Sequence, residues 1–183
     1  MTLAGGAPVE PGRFRRALGQ FATGVTVVST TTPDRGPVGC TVSSFCSLSL
    51  DPPLVLVCLN RGRAMHHALA DTPGYTVSIL ASDQGELAGD FTRPVPDRFA
   101  GVAHSPGRYG PHLDGAIAHL DCARHELLDG GDHVIVVGRV EALRVHDGEP
   151  LLYAQGAFLD LPGPDWRRAA ATAPHEWLLS APW

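Results

Sequence analysis

The chain has 183 residues, 44% of them apolar and 18% charged, with a formal net charge of −5. That is the size and balance of one globular domain able to bury a core without disulfide staples, and it is too short for separate nucleotide and substrate domains. Every basic residue is an arginine, which excludes a Schiff-base lysine, a lysine general base and a Walker-type phosphate lysine, and the negative balance argues against nucleic acid as a partner.

Residues 1–10 read as a loose tail. Pro11 opens a helix, where its missing N–H costs nothing. Phe14, Ala17, Leu18 and Phe21 fall at i, i+3, i+4 and i+7 and form one apolar stripe, ended by Gly24. Residues 25–32 are nearly all β-branched and predict a strand. The run PDRGP at 33–37 is a turn. A second strand spans 38–50, closed by Asp51-Pro52-Pro53. A third, 54–59, is apolar on both faces and is expected to lie centrally in its sheet. Residues 63–70 form a short helix, and Gly74 restarts the chain as the strand 75–81. Asp83 and Glu86 have capping-box spacing for a helix running to Phe91. The Pro- and Gly-rich stretch 92–113 is loop with one turn at 97–100. Two long strands, 116–128 and 133–145, flank the turn Asp129-Gly130-Gly131-Asp132. Residues 151–161 form a last strand. The segment 162–183 changes composition, holds Trp166, Trp177 and Trp183, and reads as a second tail beyond a domain at 11–161. Strands in mostly hairpin order with a few short helices favour a small β-barrel with helical decorations over a doubly wound sheet.

Several chemistries are missing from the sequence. No apolar run approaches the ~20 residues of a membrane helix, and the first eleven residues lack the layout of a signal peptide. Cys40, Cys46, Cys58 and Cys122 fit no zinc spacing and are expected as reduced, mostly buried thiols of a cytoplasmic protein. No G-x-G-x-x-G follows a strand, and no G-x-S-x-G elbow is present. Gly19 and Gly24 have P-loop spacing, but Val25 stands where lysine is required. Among the nine histidines, His66 and His67 point apart on a helix, and His119 and His125 do not share a face with Cys122. No metal site is expected, and the histidines are read as solvated.

Three stretches carry positive signals. Residues 41–49, TVSSFCSLS, hold five hydroxyls in nine positions. Such hydroxyls can meet a phosphate or the polar edge of a flavin ring, or simply face water from an edge strand. Residues 58–64, CLNRGRA, carry a strand into a loop with two arginines and then a helix. That arrangement suits a phosphate, or is an ordinary connection. Gly131-Asp132-His133 enters a strand, and its imidazole either meets a carboxamide or hangs from a hairpin turn.

Taken together and in order, FRRALGQFATGVTVVST, GCTVSSFCSLSLDPPLVLVCLN, GDHVIVVGRV and PLLYAQGAF resemble the short-chain flavin reductases. These are flavin reductase-like proteins with an FMN-binding split barrel, and the resemblance covers about residues 13–161. It implies a mainly β fold, a Greek-key split β-barrel with a few short helices, working as a homodimer with flavin at the dimer interface. It implies reduction of FMN or FAD by NADH or NADPH and delivery of reduced flavin to a partner monooxygenase. By the same resemblance, Thr41, Val42, Ser43, Ser44, Phe45, Ser47 and Leu48 would meet the flavin ring and ribityl chain. Gly62, Arg63 and Ala64 would lie near its phosphates, and His133 near the nicotinamide. Phe158 stands where many relatives have tyrosine, which keeps a stacking surface and loses a hydroxyl. Ser43 stands where asparagine is frequent. The absence of lysine fits, because hydride transfer between placed rings needs no reactive amine. Two alternatives remain open: a pyridoxamine-phosphate oxidase-like enzyme, which would need more basic groups, and a non-catalytic flavin carrier.

Overall fold

The computed structural model describes residues 8–95, 97–159 and 161. The tails at 1–7 and 162–183, with the three tryptophans, lie outside the described residues. The first helix, α1 (Pro11–Leu18), is capped by the Glu10 carboxylate, which accepts from the N–H groups of Gly12 and Arg13 at 2.7 and 2.8 Å. It ends at Gly19, earlier than the stripe predicts, so Phe21 lies beyond it. The stripe faces solvent in the single chain: Phe14, Leu18 and Phe21 are 55–76% exposed.

The main sheet has seven strands, all paired antiparallel, in the order β3-β2-β6-β9-β10-β5-β4. Its members are β2 (Thr26–Thr32), β3 (Gly36–Val42), β4 (Cys46–Leu50), β5 (Pro53–Asn60), β6 (Gly74–Ile79), β9 (Ala118–Gly130) and β10 (His133–Val145). A second sheet joins β1 (Thr23–Gly24), β11 (Leu152–Ala154) and β12 (Ala157–Leu159), and β7 (His104–Ser105) pairs β8 (His112–Leu113). Between β5 and β6 runs α2 (Ala64–Asp71), which buries Met65, Ala68 and Leu69. Met65 and Leu69 pack with Val28, Val42, Val57, Tyr75 and Val136 in the core between the sheet's two ends.

Sequence and structure part at four places. The predicted strand 38–50 is two strands, because Ser43, Ser44 and Phe45 leave the ladder and carry the chain from β3 to β4. The strands buried on both faces are β2 and β6, not β5. Val28 of β2 points into the α2 core, while Val25 and Val27 pack with Leu80, Phe91, Phe99 and Leu113 in a second core. On β5, Val55, Val57 and Leu59 are buried, but Leu54, Leu56 and Cys58 on the opposite face are only half-buried, next to the edge strand β4. The helix predicted from Asp83 is a 3-10 turn, Ser82–Gln84, followed by α3 (Gly85–Asp90). Gln84 Oε1, rather than Glu86, reaches back to accept from Ala81 N–H at 3.0 Å. In place of the single strand predicted over 151–161, residues 152–159 form a hairpin, turned by Gln155 and Gly156, both at positive φ.

The thiols also differ from expectation. All four are free, yet only Cys122 is buried, Cys40 and Cys58 are half-buried and Cys46 is exposed. No helix among the described residues is long and apolar enough to cross a membrane.

The sheet does not close on itself. Its terminal strands β3 and β4 are joined by residues 43–45 at one end, and the opening between β3 and β5 is bridged by α2. That opening is the split of the barrel, and it positions the site.

Candidate active site

A cavity of about 330 Å³ sits in this split. One wall is the end of β3, with Cys40, Thr41 and Val42, continued by Ser43 and Ser44. The facing wall is the end of β5, with Cys58, Leu59 and Asn60, followed by Arg63 and by Met65 of α2. His133, the first residue of β10, closes a third side, and Phe91, Thr92 and Arg98 a fourth. The three signal stretches therefore meet in one place, because β5 pairs β10 with Asn60 opposite His133.

The polar groups divide into those already committed and those still available. Thr41 Oγ1 donates to the Ala88 carbonyl at 2.6 Å. The Ser44 hydroxyl donates to the Cys58 carbonyl at 3.0 Å and accepts from the Cys58 N–H at 3.1 Å. These two hydroxyls tie the connection down with their protons, while both residues line the cavity. Ser43 is exposed, and its hydroxyl has no protein partner among the described residues. Gly62 N–H donates to Asn60 Oδ1 at 2.9 Å, which shapes the turn into α2. Arg63 precedes the first turn of α2 and has no ion-pair partner among the described residues.

Arg98 carries no signal in the sequence. Its Nη1 donates to the Gly39 carbonyl at 2.8 Å and its Nε to the Arg93 carbonyl at 2.8 Å, so the loop aims its guanidinium at the cavity. Burial pushes the Cys40 thiol up to about 11, and the charges of Arg98 and Arg63 oppose that shift. At that pKa the thiol is protonated and unreactive near neutral pH. His133 and Asp132 are hydrogen-bonded, Nδ1 to Oδ1, at 2.8 Å. A carboxylate only accepts, so Nδ1 carries the hydrogen and Nε2 is the ring atom left for a ligand. Asp132 is held below the usual carboxylate range, mainly by this bond and the histidine's charge.

The other predicted residues lie elsewhere in this chain. Phe45 packs against the α2 core. Ser47 and Leu48 are exposed on β4 and do not line the cavity. Gly62 and Ala64 flank Arg63 without forming the wall. Phe158 stands on β12, its ring 5.6 Å from that of Tyr153 at 60°. Tyr153 lines a second, larger cavity of about 710 Å³ that shares Ser43 and Ser44 with the first and runs along Arg15, Arg16 and Phe21. Among the described residues, no group of three or more His, Cys, Asp or Glu is placed to hold a metal ion.

An open, split antiparallel barrel with an apolar floor of Val42, Leu59, Met65 and Phe91, rimmed by two arginines and a histidine, defines a protein shaped for a flat anionic cofactor. Comparison with known proteins gives the class a name. Residues 18–162 match the flavin reductase like domain family, and the chain belongs to it. It is 40% identical over 152 residues to the reductase subunit HsaB of a flavin-dependent monooxygenase from Rhodococcus jostii, covering 82% of this chain and 77% of that one. It is 39% identical over 150 residues to a probable flavin reductase of Rhizobium meliloti, covering 81% of this chain but spanning only 48% of that protein. The solved NADH:FAD oxidoreductase SgcE6 of Streptomyces globisporus superposes with a TM-score of 0.80 at 38% identity, covering 87% of this chain and 99% of that one.

Proposed function

We propose that this protein is an NAD(P)H-dependent flavin reductase, with FMN or FAD as acceptor and NADH preferred as donor, that supplies reduced flavin to a partner monooxygenase. It works as a cytoplasmic homodimer. The observation that carries the reading is the convergence of residues 40–44, Arg63 and His133 on one amphipathic cavity. The relatives named for NADH and FAD chemistry, and for a monooxygenase reductase subunit, support it.

The donor set fits a flavin. Val42, Leu59, Met65 and Phe91 offer an apolar surface to a ring. Arg63, Arg98 and the first turn of α2 bring positive charge and free N–H groups for the phosphate. Ser43 is free to meet the ring's polar edge. When bound, flavin supplies a hydride acceptor at N5 for the nicotinamide C4, so the protein's task is to hold two rings in contact at roughly 3–3.5 Å. His133 orients the carboxamide through Nε2, its tautomer fixed by Asp132. No residue here has to be a strong base, consistent with a neutral Cys40 and a lysine-free chain.

Ser47 and Leu48 support the homodimer. The family resemblance gives them to the flavin, yet they lie on β4 outside their own chain's cavity. Both conditions hold together when a second copy brings its β4 to this cavity.

Steady-state oxidation of NADH and NADPH with FMN, FAD and riboflavin tests the reading. Flavin-dependent oxidation is expected, faster with NADH. His133→Ala should raise the KM for the nicotinamide about tenfold, the equivalent of one lost hydrogen bond of about 1–1.5 kcal/mol, with flavin affinity unchanged. Wild-type protein that oxidises neither nicotinamide in the presence of any flavin would overturn the proposal.

A further inference from the structure

Arg61 follows β5 and points away from the cavity, at the tip of the β9–β10 hairpin. Its Nε donates to the Gly131 carbonyl at 2.9 Å and its Nη2 to Asp129 Oδ1. Its backbone N–H donates to the Asp132 carbonyl at 3.1 Å. On the other side, His66 Nδ1 donates to the Arg61 carbonyl at 3.0 Å. Asp129 Oδ1 also accepts from Gly131 N–H at 3.3 Å. Three hydrogen bonds from one residue thus grip the turn 129–132, and the turn's last residue, Asp132, holds the His133 ring.

Stability does not account for this grip. The Arg61 and Asp129 side chains are 42% and 82% exposed, and exposed pairs of this kind add little to folding. The hairpin end needs an anchor for another reason. Leu127 and Leu128 beside the turn are exposed, so the core does not fix it, and Gly131 at φ +76 makes the turn tight but not its direction. Backbone pairing of His133 with Asn60 sets the register of β10. The direction of the Asp132 carboxylate, and so of the imidazole, depends on the turn.

We propose that Arg61 is a positioning residue for His133: by clamping Asp129, Gly131 and Asp132 it fixes the tautomer and orientation in which the imidazole meets the nicotinamide. The inference rests on the flavin reductase reading above. It also links the loop 60–63, on the phosphate side of the cavity, to the turn that carries His133, so both ends of the site share one rigid joint.

The test is a double-mutant cycle with a spectroscopic arm. Arg61→Ala should raise the nicotinamide KM about tenfold while flavin affinity and kcat at saturation change less than about twofold. Arg61→Lys should recover part of the loss, because an ammonium still reaches Asp129 but cannot make the Nε bond as well. In a His133→Ala background, Arg61→Ala should have no further effect. Asp129→Ala, at a mostly exposed side chain, removes the acceptor and repeats the test in the same direction should the Arg61 variants fold poorly. Nitrogen NMR of the His133 ring supplies an arm independent of activity: a single Nδ1–H tautomer in the wild type, and a mixture in Arg61→Ala. Additive effects in the cycle, or an unchanged ring spectrum, would refute the positioning role while leaving the reductase reading intact. A wild type without reductase activity would sink that reading, with the ring spectrum still deciding whether Arg61 orients His133.

Discussion

His119, on β9, is 6% exposed and donates from Nε2 to the Leu113 carbonyl at 2.9 Å, with its ring stacked on His112 at 4.6 Å and 14°. His112 in turn donates from Nε2 to the Asp121 carboxylate at 3.1 Å, and Asp121 accepts from the Thr76 hydroxyl at 2.6 Å. Both rings therefore bear hydrogen on Nε2, and the buried Nδ1 atoms have no protein partner. Burial holds the His119 imidazole below its ordinary range; the bond to Leu113 opposes that shift, and His112, His146 and Arg144 add to it. A base whose folded pKa is depressed contributes stability that is complete above the unfolded value of about 6.5 and is lost as pH falls through the folded value. The urea midpoint should thus drop between about pH 7.5 and 5.5. His119→Gln keeps a donor for Leu113 but does not titrate, so its midpoint should fall less over the same range. Equal falls in both proteins would remove His119 from the acid response. The sequence predicts a solvated His119, and the structure corrects that: the ring is buried, because the Leu113 carbonyl that fixes its tautomer is brought to it by β8. The three site signals behaved differently. Each is a local run whose residue types already suit a ligand, and the sheet had only to bring them together. Arg98 gave no such signal, because what aims it is a pair of carbonyls, on Arg93 and Gly39, that no side-chain pattern announces.

Elements were legible where their periodicity was long. The hairpin β9–β10 has 13 residues in each strand and a Gly-rich tip, and both strands were read close to their observed limits. Failures came at short breaks. Ser43 and Ser44 look like strand residues, and only the hydrogen bonds of Ser44 to Cys58 show why the chain leaves the ladder there. Gln155-Gly156 gives no turn signal in the sequence, because glutamine is a poor marker of a left-handed position. Gln155 holds φ +53 there because its N–H donates to the Gly19 carbonyl at 2.8 Å and its side-chain amide to Gln20 at 3.0 Å. The tip of β11–β12 is thus docked on the end of α1, which sets Tyr153 beside the second cavity. Gly156 is a clean probe of that turn: its φ is +85, and an added Cβ would meet nothing within 4 Å. Gly156→Ala should therefore cost only backbone strain, about 1–2 kcal/mol, while Gly156→Asn should cost less. Urea denaturation measures both; an alanine variant as stable as the wild type would show that the turn relaxes without penalty.

At the scale of the whole molecule, the apolar outer face of β5 and its neighbours was visible in the sequence but assigned the wrong cause. A run apolar on both faces was read as a strand central to its own sheet, whereas β5 lies one strand from the edge and leaves Leu54 and Leu56 half-buried. Next to it on β4, Leu50 is 75% exposed and Leu48 41%. Leu50 pairs with Pro53 and so does not share the face of Leu54 and Leu56. Apolar side chains are left in water at this edge of the sheet on both faces, and an exposed apolar edge of this kind marks an interface. The proposed second copy would cover it, and would bring Ser47 and Leu48, which lie outside their own chain's cavity, to a flavin site. The prediction is a particle of about twice 19.3 kDa in sedimentation at micromolar concentration. Leu50→Arg should leave the fold intact, since the side chain is already solvated in the single chain, yet place a charge where an interface of about 800 Å² per partner would have to desolvate it. The variant should sediment as a monomer and bind flavin at least about tenfold more weakly, a loss of about 1.4 kcal/mol. A wild type that is monomeric, or a monomeric variant with undiminished flavin affinity, would show that each chain completes its own site and that the apolar face serves another contact. Loss of flavin affinity together with loss of the dimer would tie binding to the second copy, because Leu50 itself does not line the cavity.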